Sequence, residues 1–110
     1  MSKIIKVDLS NYKNKNAKFI VGRDKGNQAK KEEKLDEYLL DYLNGEEIKV
    51  EFFTSSEIYG VVSSFILGML SEIVTKIGNK EEVYKLFSFE NLNSEIKKEF
   101  DEEINYILGE

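Results

Sequence analysis

Two short segments of the chain combine residue types that could bind or carry an anion. The first, residues 22–27 with the sequence Gly-Arg-Asp-Lys-Gly-Asn, lies between a predicted strand and a predicted helix. Backbone N–H groups at a helix start attract negative charge, and basic side chains strengthen that attraction. The segment lacks the spacing of a nucleotide-binding P-loop. The alternative is a tight turn that uses glycine for its backbone freedom. The candidate anion-binding residues are Arg23, Lys25, Gly26 and Asn27.

The second segment, Val61 to Phe65, begins a predicted helix and contains two adjacent serines. A phosphate on either serine would be stabilised by the helix dipole and by the N–H groups of the first turn. The alternative is that one serine only caps the helix. Val61 and Leu67 fall outside the apolar stripe of this helix, so we expect both to be exposed beside the serines. The candidate phosphorylation sites are Ser63 and Ser64, and the candidate partner-binding residues are Val61, Ser63, Ser64 and Leu67.

Two residue types that carry much of enzyme chemistry are missing from the sequence. There is no His and no Cys among the 110 residues. Ser-His-Asp and Cys-His catalysis are therefore excluded, together with disulfides and the usual ligands of transition metals. An oxygen-only magnesium or calcium site stays open in chemical terms, but no EF-hand spacing occurs. We expect no catalytic site, no metal and no cofactor.

Length and charge predict a single soluble domain over residues 1–110. Apolar residues make up 41% of the chain, which is enough for a hydrophobic core. The formal net charge of −5 argues against a broad grip on nucleic acid, which needs a basic surface. No apolar run approaches the length that spans a bilayer. We expect a cytoplasmic protein without a membrane partner, and a homo-oligomer is compatible with this composition.

Hydrophobic periodicity predicts alternating strands and helices. Residues 62–77 form the most apolar helix, and within it Ser64, Gly68 and Ser71 make a stripe of small residues. That stripe is either a partner groove or a place where the helix lies close to its own sheet. Residues 83–89 are interpreted as a strand, although residues 83–86 also fit a helical turn. The other predicted strands are residues 3–8, 17–21 and 48–53, and the other predicted helices are residues 27–43 and about 94–108. The order β-β-α-β-(β)-α-β-α predicts an α/β fold with a mixed or parallel sheet.

These segments together resemble the STAS-like domain family of unknown function, over residues 17–108. The resemblance is carried by the glycine-bracketed segment 22–26, the strand that begins at Ile48, the Ser-Ser-Phe run at 63–65 with Gly68, and the Asn-Leu-Asn run at 91–93. It implies a mixed sheet of about four strands with three helices packed on it. Related anti-sigma-factor-antagonist domains bind partner proteins, among them histidine-kinase-like ATPases that act as serine kinases. Their phosphorylated serine matches Ser63 and Ser64 in position.

The sequence therefore favours a non-catalytic regulatory module that binds a protein partner and is switched by serine phosphorylation at a helix start. The resemblance implies a histidine-kinase-like ATPase as that partner. The alternative is a small phage-type inhibitor that blocks a nucleic-acid-directed defence complex by stoichiometric binding. Its small size and acidic balance suit such a role. A third interpretation is a nucleotide or phospholigand binder at residues 22–27.

Overall fold

Strands and helices alternate along the chain as an α/β fold. The computed structural model describes residues 2–110. Its strands are β1 (Lys3–Asp8), β2 (Phe19–Ile20), β3 (Ile48–Phe53), β4 (Gly60–Val61) and β5 (Phe87–Asn91). Its α-helices are α1 (Arg23–Glu32), α2 (Leu35–Leu43), α3 (Ser63–Ile77), α4 (Lys80–Leu86) and α5 (Ser94–Leu108), and a 3₁₀ turn covers Leu9–Tyr12. The α/β class expected from the sequence is confirmed.

The main sheet is parallel throughout and has three strands in the order β1-β3-β5. β3 lies at the centre of this sheet, and β1 and β5 lie at its edges. The mixed sheet of about four strands is not what forms. Instead β2 and β4 pair with each other as a separate parallel ladder, two residues long. The helices in residues 2–110 likewise number five rather than three.

One face of the main sheet carries the core, because alternate residues of each strand point to the same side. Along β3 the buried residues are Ile48, Val50 and Phe52. The Phe52 ring stacks on three other buried rings, with centroid distances of 5.5, 5.6 and 5.9 Å to Phe87, Phe89 and Phe100. The opposite face of the sheet stays accessible. Ile4 is 57% exposed there, and Lys49 Nζ donates to the carbonyl of Tyr84 at 2.8 Å.

Helices α1 and α3 approach each other closely through one glycine from each. A Cβ built on Gly26 would stand 2.2 Å from the Phe65 carbonyl oxygen, and one on Gly68 would stand 2.3 Å from the Arg23 carbonyl oxygen. Both glycines are buried. Gly68 of the small-residue stripe therefore lies close to another helix, which differs from both predicted alternatives, a partner groove and close packing on the sheet.

The predicted helix over residues 27–43 is wrong in two respects. It begins earlier, at Arg23, and it is broken at Lys34, which adopts the left-handed conformation with φ 59°. The break lets the two parts turn independently, so that α1 buries Ala29 against α3 while α2 buries Leu35 and Leu39 in the core. No glycine or proline marks this turn in the sequence.

The sequence of residues 83–86 fits either a strand or a helical turn, and the structure decides between the two. Residues 80–86 are helical, and the strand begins only at Phe87. The Asn79 side chain caps α4 by accepting a hydrogen bond from Glu82 N at 3.0 Å. The helical interpretation of residues 83–86 is therefore the correct one, and the predicted strand 83–89 is wrong over its first half. Among the described residues, no helix is both long enough and apolar enough to cross a membrane.

Candidate functional site

Two strand-helix units lie side by side and define the candidate site. Strand β2 leads into α1, and β4 leads into α3. Tyr59 N donates to the Lys18 carbonyl at 2.7 Å, and Val62 N donates to the Ile20 carbonyl at 2.8 Å. A further bond runs from Gly22 N to Ser64 Oγ at 3.1 Å. These bonds fix the starts of α1 and α3 next to each other.

Three large apolar side chains around this junction are exposed. Phe19 is 50% exposed, Tyr59 is 61% exposed and Val62 is 38% exposed. The Phe19 and Tyr59 rings meet edge to face, with centroids 6.4 Å apart and planes at 82°. The Phe19 ring also covers Gly60, where a Cβ would stand 2.9 Å from the ring. We call Phe19, Tyr59 and Val62 the apolar patch. Such a grouped exposure of large apolar residues is typical of interaction sites.

The apolar patch borders an open cavity of about 360 Å³, a volume within the range of ligand sites. One wall is formed by β2, β4 and the start of α3, and the other by α5. Helix α3 contributes Ser63 to the lining of the cavity, and α5 contributes Glu95 and Glu99. The cavity therefore combines apolar side chains, one hydroxyl and two carboxylates.

The carboxylates of α5 give this wall a negative potential. Glu95, Glu99 and Glu103 are spaced four residues apart, so they lie on one face of the helix. Among residues 2–110 none of the three forms an ion pair. Burial raises the pKa of Glu103, and the charges of Glu99 and Glu102 raise it further. Repulsion among these like charges therefore lowers the stability of the folded protein.

The serines at the start of α3 have different environments. The Ser64 hydroxyl accepts the bond from Gly22 N and joins the two strand-helix units. Ser63 is partly exposed and lines the cavity. Neither serine is the N-cap, because α3 begins at Ser63 and Val62 holds the cap position without a side-chain bond. Of the two predicted phosphorylation sites, Ser63 is the one that faces the cavity.

The predicted exposure of Val61 is wrong. Val61 is 2% exposed, because it pairs with Ile20 in the β2–β4 ladder and points into the core. Its neighbour Val62, which the sequence assigns to the buried stripe of the helix, is instead exposed. The helix begins one residue later than predicted, so the two valines follow strand alternation and exchange their roles.

Leu67 lies in a second depression, away from the apolar patch. It is partly buried in a groove of about 510 Å³ between the start of α1 and the end of α5. The other residues that line this groove are Arg23, Ser71, Thr75, Tyr106 and Ile107. Ser63 and Leu67 share the outward face of α3, since they are four residues apart. Of the predicted partner-binding residues, Ser63 and Leu67 thus share one helix face, whereas Val61 is buried.

The predicted anion-binding loop at residues 22–27 does not form. Residues 23–27 already belong to α1, and Gly26 N donates to the Gly22 carbonyl at 3.1 Å. Gly26 is buried against α3, and Asn27 lies more than a turn from the helix start. Arg23 and Lys25 therefore sit on a helix surface, not around a cradle of backbone N–H groups. Gly26 lets α1 and α3 pack closely. The alternative interpretation, a tight turn at these residues, is therefore wrong as well.

Three tyrosines form hydrogen bonds with carboxylates elsewhere in the molecule. Tyr12 donates to Glu33 at 2.5 Å, Tyr84 donates to Asp101 at 2.5 Å, and Tyr42 donates to Glu82. Burial, followed by these bonds, raises the pKa of all three phenols. Each tyrosine keeps its proton near neutral pH, so these pairs link elements of the fold. Within residues 2–110 no group of three or more metal-ligating side chains comes together.

Sequence reasoning missed the residues that form the apolar patch and its acidic wall. Phe19 and Tyr59 come from separate segments that meet through the β2–β4 ladder, and Glu99 reaches them because α5 packs against β4 and α3. Two-residue strands leave no periodic signal, so this meeting could not be inferred from the pattern. The one available signal was Gly60, since a glycine in a strand can mark a site where another group approaches the backbone closely.

Comparison of the chain with family models, with curated proteins and with solved structures gives no match. A function for this chain therefore has to be inferred from the geometry of the candidate site.

Proposed function

We propose that this protein is a non-catalytic interaction module that binds a protein partner through the apolar patch. The observation that carries the proposal is the exposure of Phe19, Tyr59 and Val62 together, on a rigid support of two paired strands. Aromatic side chains fixed in this way lose little conformational entropy on binding and often dominate interface energetics. The STAS-like resemblance supports the same class of function, and a histidine-kinase-like ATPase is the partner that it implies.

Phosphorylation of Ser63 is the proposed means of regulation. Ser63 is the first residue of α3, where the helix dipole favours a negative group. The same phosphate would stand in the cavity with Glu95 and Glu99, and their like charges oppose it. A phosphate there would also place a charge beside the apolar patch. The modification would therefore change docking at the apolar patch while it leaves the fold intact. It disfavours apolar anchors next to the phosphate, and it adds to the negative charge that a basic side chain of the partner would meet.

The test is partner capture from cells that produce the protein, with matched variants as bait. Val62→Asp places a charge within the apolar patch and should abolish capture of a specific partner. Leu40→Asp is the control, because Leu40 is 60% exposed on α2 and does not line the cavity. A partner retained equally by both variants would show that binding uses another surface. Mass spectrometry of the purified protein would test whether Ser63 carries a phosphate.

A second candidate function is stoichiometric inhibition of a nucleic-acid-directed complex. The observation that favours it is uneven charge, since residues 35–110 hold 17 of the 21 acidic side chains but 6 of the 16 basic ones. The acidic face of α5, with Glu95, Glu99 and Glu103, would complement a basic nucleic-acid channel. The identity of the captured partner separates the two functions: an ATPase or kinase supports the first, and a nuclease or its complex supports the second.

A further inference from the structure

The apolar patch has a charged border that selects among partners. We infer that the segment that docks on it is a basic amphipathic helix of another protein, with apolar anchors for Phe19, Tyr59 and Val62 and with Lys or Arg facing Glu95 and Glu99. This inference rests on the proposed function and adds the chemistry of the partner. Three features support it: the position of the carboxylates, their lack of ion pairs within the described residues, and the shape of the site.

The two carboxylates lie in the wall of the cavity itself. Glu95 and Glu99 line the same depression as Tyr59 and Val62, so a side chain bound at the apolar patch would pass next to them. Within the described residues neither carboxylate has a cationic partner, whereas Glu90 and Asp101 nearby in sequence are paired with Lys97 and Lys80. The wall therefore offers negative charge that the chain does not neutralise.

The arrangement of these charges is unfavourable in the free protein. Like charges four residues apart on a helix destabilise it. Glu95, Glu99 and Glu103 form two such pairs, and one carboxylate oxygen of Glu103 is buried without a hydrogen-bond partner among residues 2–110. A cationic partner would relieve this repulsion on binding. The charge pattern thus gives a basic segment an advantage that a neutral segment lacks.

The site is an open depression between α5 and the start of α3, which a helix can occupy. An amphipathic helix binds such a depression with anchors at i, i+3, i+4 and i+7, and its flanking positions reach the rim. A second copy of this chain is a poorer occupant, because it brings the same acidic wall and the same net charge of −5. Nucleic acid is disfavoured by the carboxylates for the same reason.

Three synthetic helical peptides of equal length provide the test. They share Leu and Phe anchors at i, i+3, i+4 and i+7, and their remaining positions carry Lys, Gln or Glu. Binding is measured by fluorescence anisotropy at low and at physiological salt, and the contact surface is mapped by amide chemical shifts of the labelled protein. Two exposed ion pairs of about 0.2–1 kcal/mol each correspond to a preference of about 2- to 30-fold for the Lys peptide over the Gln peptide. Added salt should reduce that preference.

Two single charge reversals on α5 provide matched controls. Glu99→Lys should remove most of the preference for the Lys peptide. Glu102→Lys makes the same change in net charge on the same helix, but Glu102 does not line the cavity, so the preference should persist. Shift changes at Gly60, Val62 and Ser63 should accompany binding in the parent protein. Melting curves of both variants would confirm that the fold is unchanged.

The outcomes separate this inference from the proposed function. Equal binding of the Lys and Gln peptides at the apolar patch would overturn the inference and leave the proposed function standing. A preference that Glu99→Lys and Glu102→Lys reduce equally would mean diffuse attraction to an acidic protein, which also overturns it. If no peptide perturbs the patch, the inference is wrong, and the capture experiment with Val62→Asp still judges the proposed function. A dimer that forms through the patch in sedimentation would identify a second copy as the occupant instead.

Discussion

Replacement of Gly26 by alanine sets two known effects against each other. In an exposed helix position this change stabilises by about 1 kcal/mol, because alanine is the better helix former. Here the added methyl carbon would stand 2.2 Å from the Phe65 carbonyl oxygen and 2.8 Å from Met69 N, whereas real Cβ atoms keep beyond 3.0 Å. Both obstacles are backbone atoms, so no rotamer change removes the clash. Helices α1 and α3 must separate by about 1 Å, in a core packed nearly as tightly as a crystal.

The expected net effect is a loss of stability of about 2 kcal/mol. Overpacking of a well-packed core costs about 1–3 kcal/mol, and we place this site at the upper end because the clash is with a rigid helix backbone. The gain of about 1 kcal/mol in helix propensity is subtracted from that cost. Urea unfolding followed by circular dichroism measures the difference. Asn27→Ala is the control, since Asn27 is the exposed next residue of α1 and its replacement should be neutral or slightly stabilising.

The same crossing predicts a specific non-additivity. Gly68→Ala places a methyl carbon 2.3 Å from the Arg23 carbonyl oxygen and should also destabilise. Once one substitution has separated the helices, the second clash is partly relieved, so the double variant should lose less than the sum of the two losses. If Gly26→Ala is as stable as Asn27→Ala, the helices do not approach closely at these two glycines and the reasoning fails.

Three further measurements check other parts of the structure. Phe52→Ala should lower the free energy of unfolding by about 2–5 kcal/mol, and Lys31→Ala should change it by less than about 0.5 kcal/mol, so similar losses in urea melts would contradict the core assignment. Glu103→Gln should raise the melting temperature at pH 7. Folding raises the pKa of Glu103, so the charged carboxylate opposes folding. The gain from the substitution should vanish when the pH falls below about 4.3, the pKa of a Glu carboxyl in the unfolded chain. Ser64→Ala should lower the free energy of unfolding by about 1 kcal/mol in a thermal or urea melt, because it leaves the Gly22 N–H without its acceptor. Ser63→Ala is the control. An equal loss for that variant would show that the bond to Ser64 Oγ does not cause the effect.

Much of the fold could be predicted where local signals agree with burial. Helix α3 has an uninterrupted apolar stripe and a glycine stop, and its predicted span of 62–77 differs from the observed one by a single residue. Helix α5 has the predicted span of about 94–108, and Asn93 caps it by accepting the bond from Ile96 N at 2.9 Å. Strand β3 alternates apolar and polar residues and lies at the centre of the sheet. In these elements propensity, capping and packing all favour the same structure.

The predictions failed where tertiary packing decides the conformation. Gly22 and Gly26 suggest a loop, but of these two only Gly22 has a positive φ. Gly26 lies within α1, and a glycine is needed there because α3 leaves no room for a Cβ. Lys34 takes a left-handed conformation that its residue type does not favour, and the burial of α1 and α2 on different neighbours imposes it. The candidate site was found only in part for the same reason. Ser63 is local to a predicted helix start, whereas Phe19 and Tyr59 reach it through tertiary contacts.

The parallel pairing of β1 has a consequence for biosynthesis. β1 hydrogen-bonds only to β3, and some 40 residues separate the end of one strand from the start of the other. At a synthesis rate of about 5–20 residues per second, β1 waits roughly 2–8 seconds on the ribosome before its partner is made. During that interval its unpaired backbone and its apolar side chains Ile4, Ile5 and Val7 are open to pairing with other chains. Lys3 and Lys6 interrupt this apolar run, and charged residues of that kind protect an unpaired strand from aggregation. The two lysines thus act during translation, before the sheet that contains them exists.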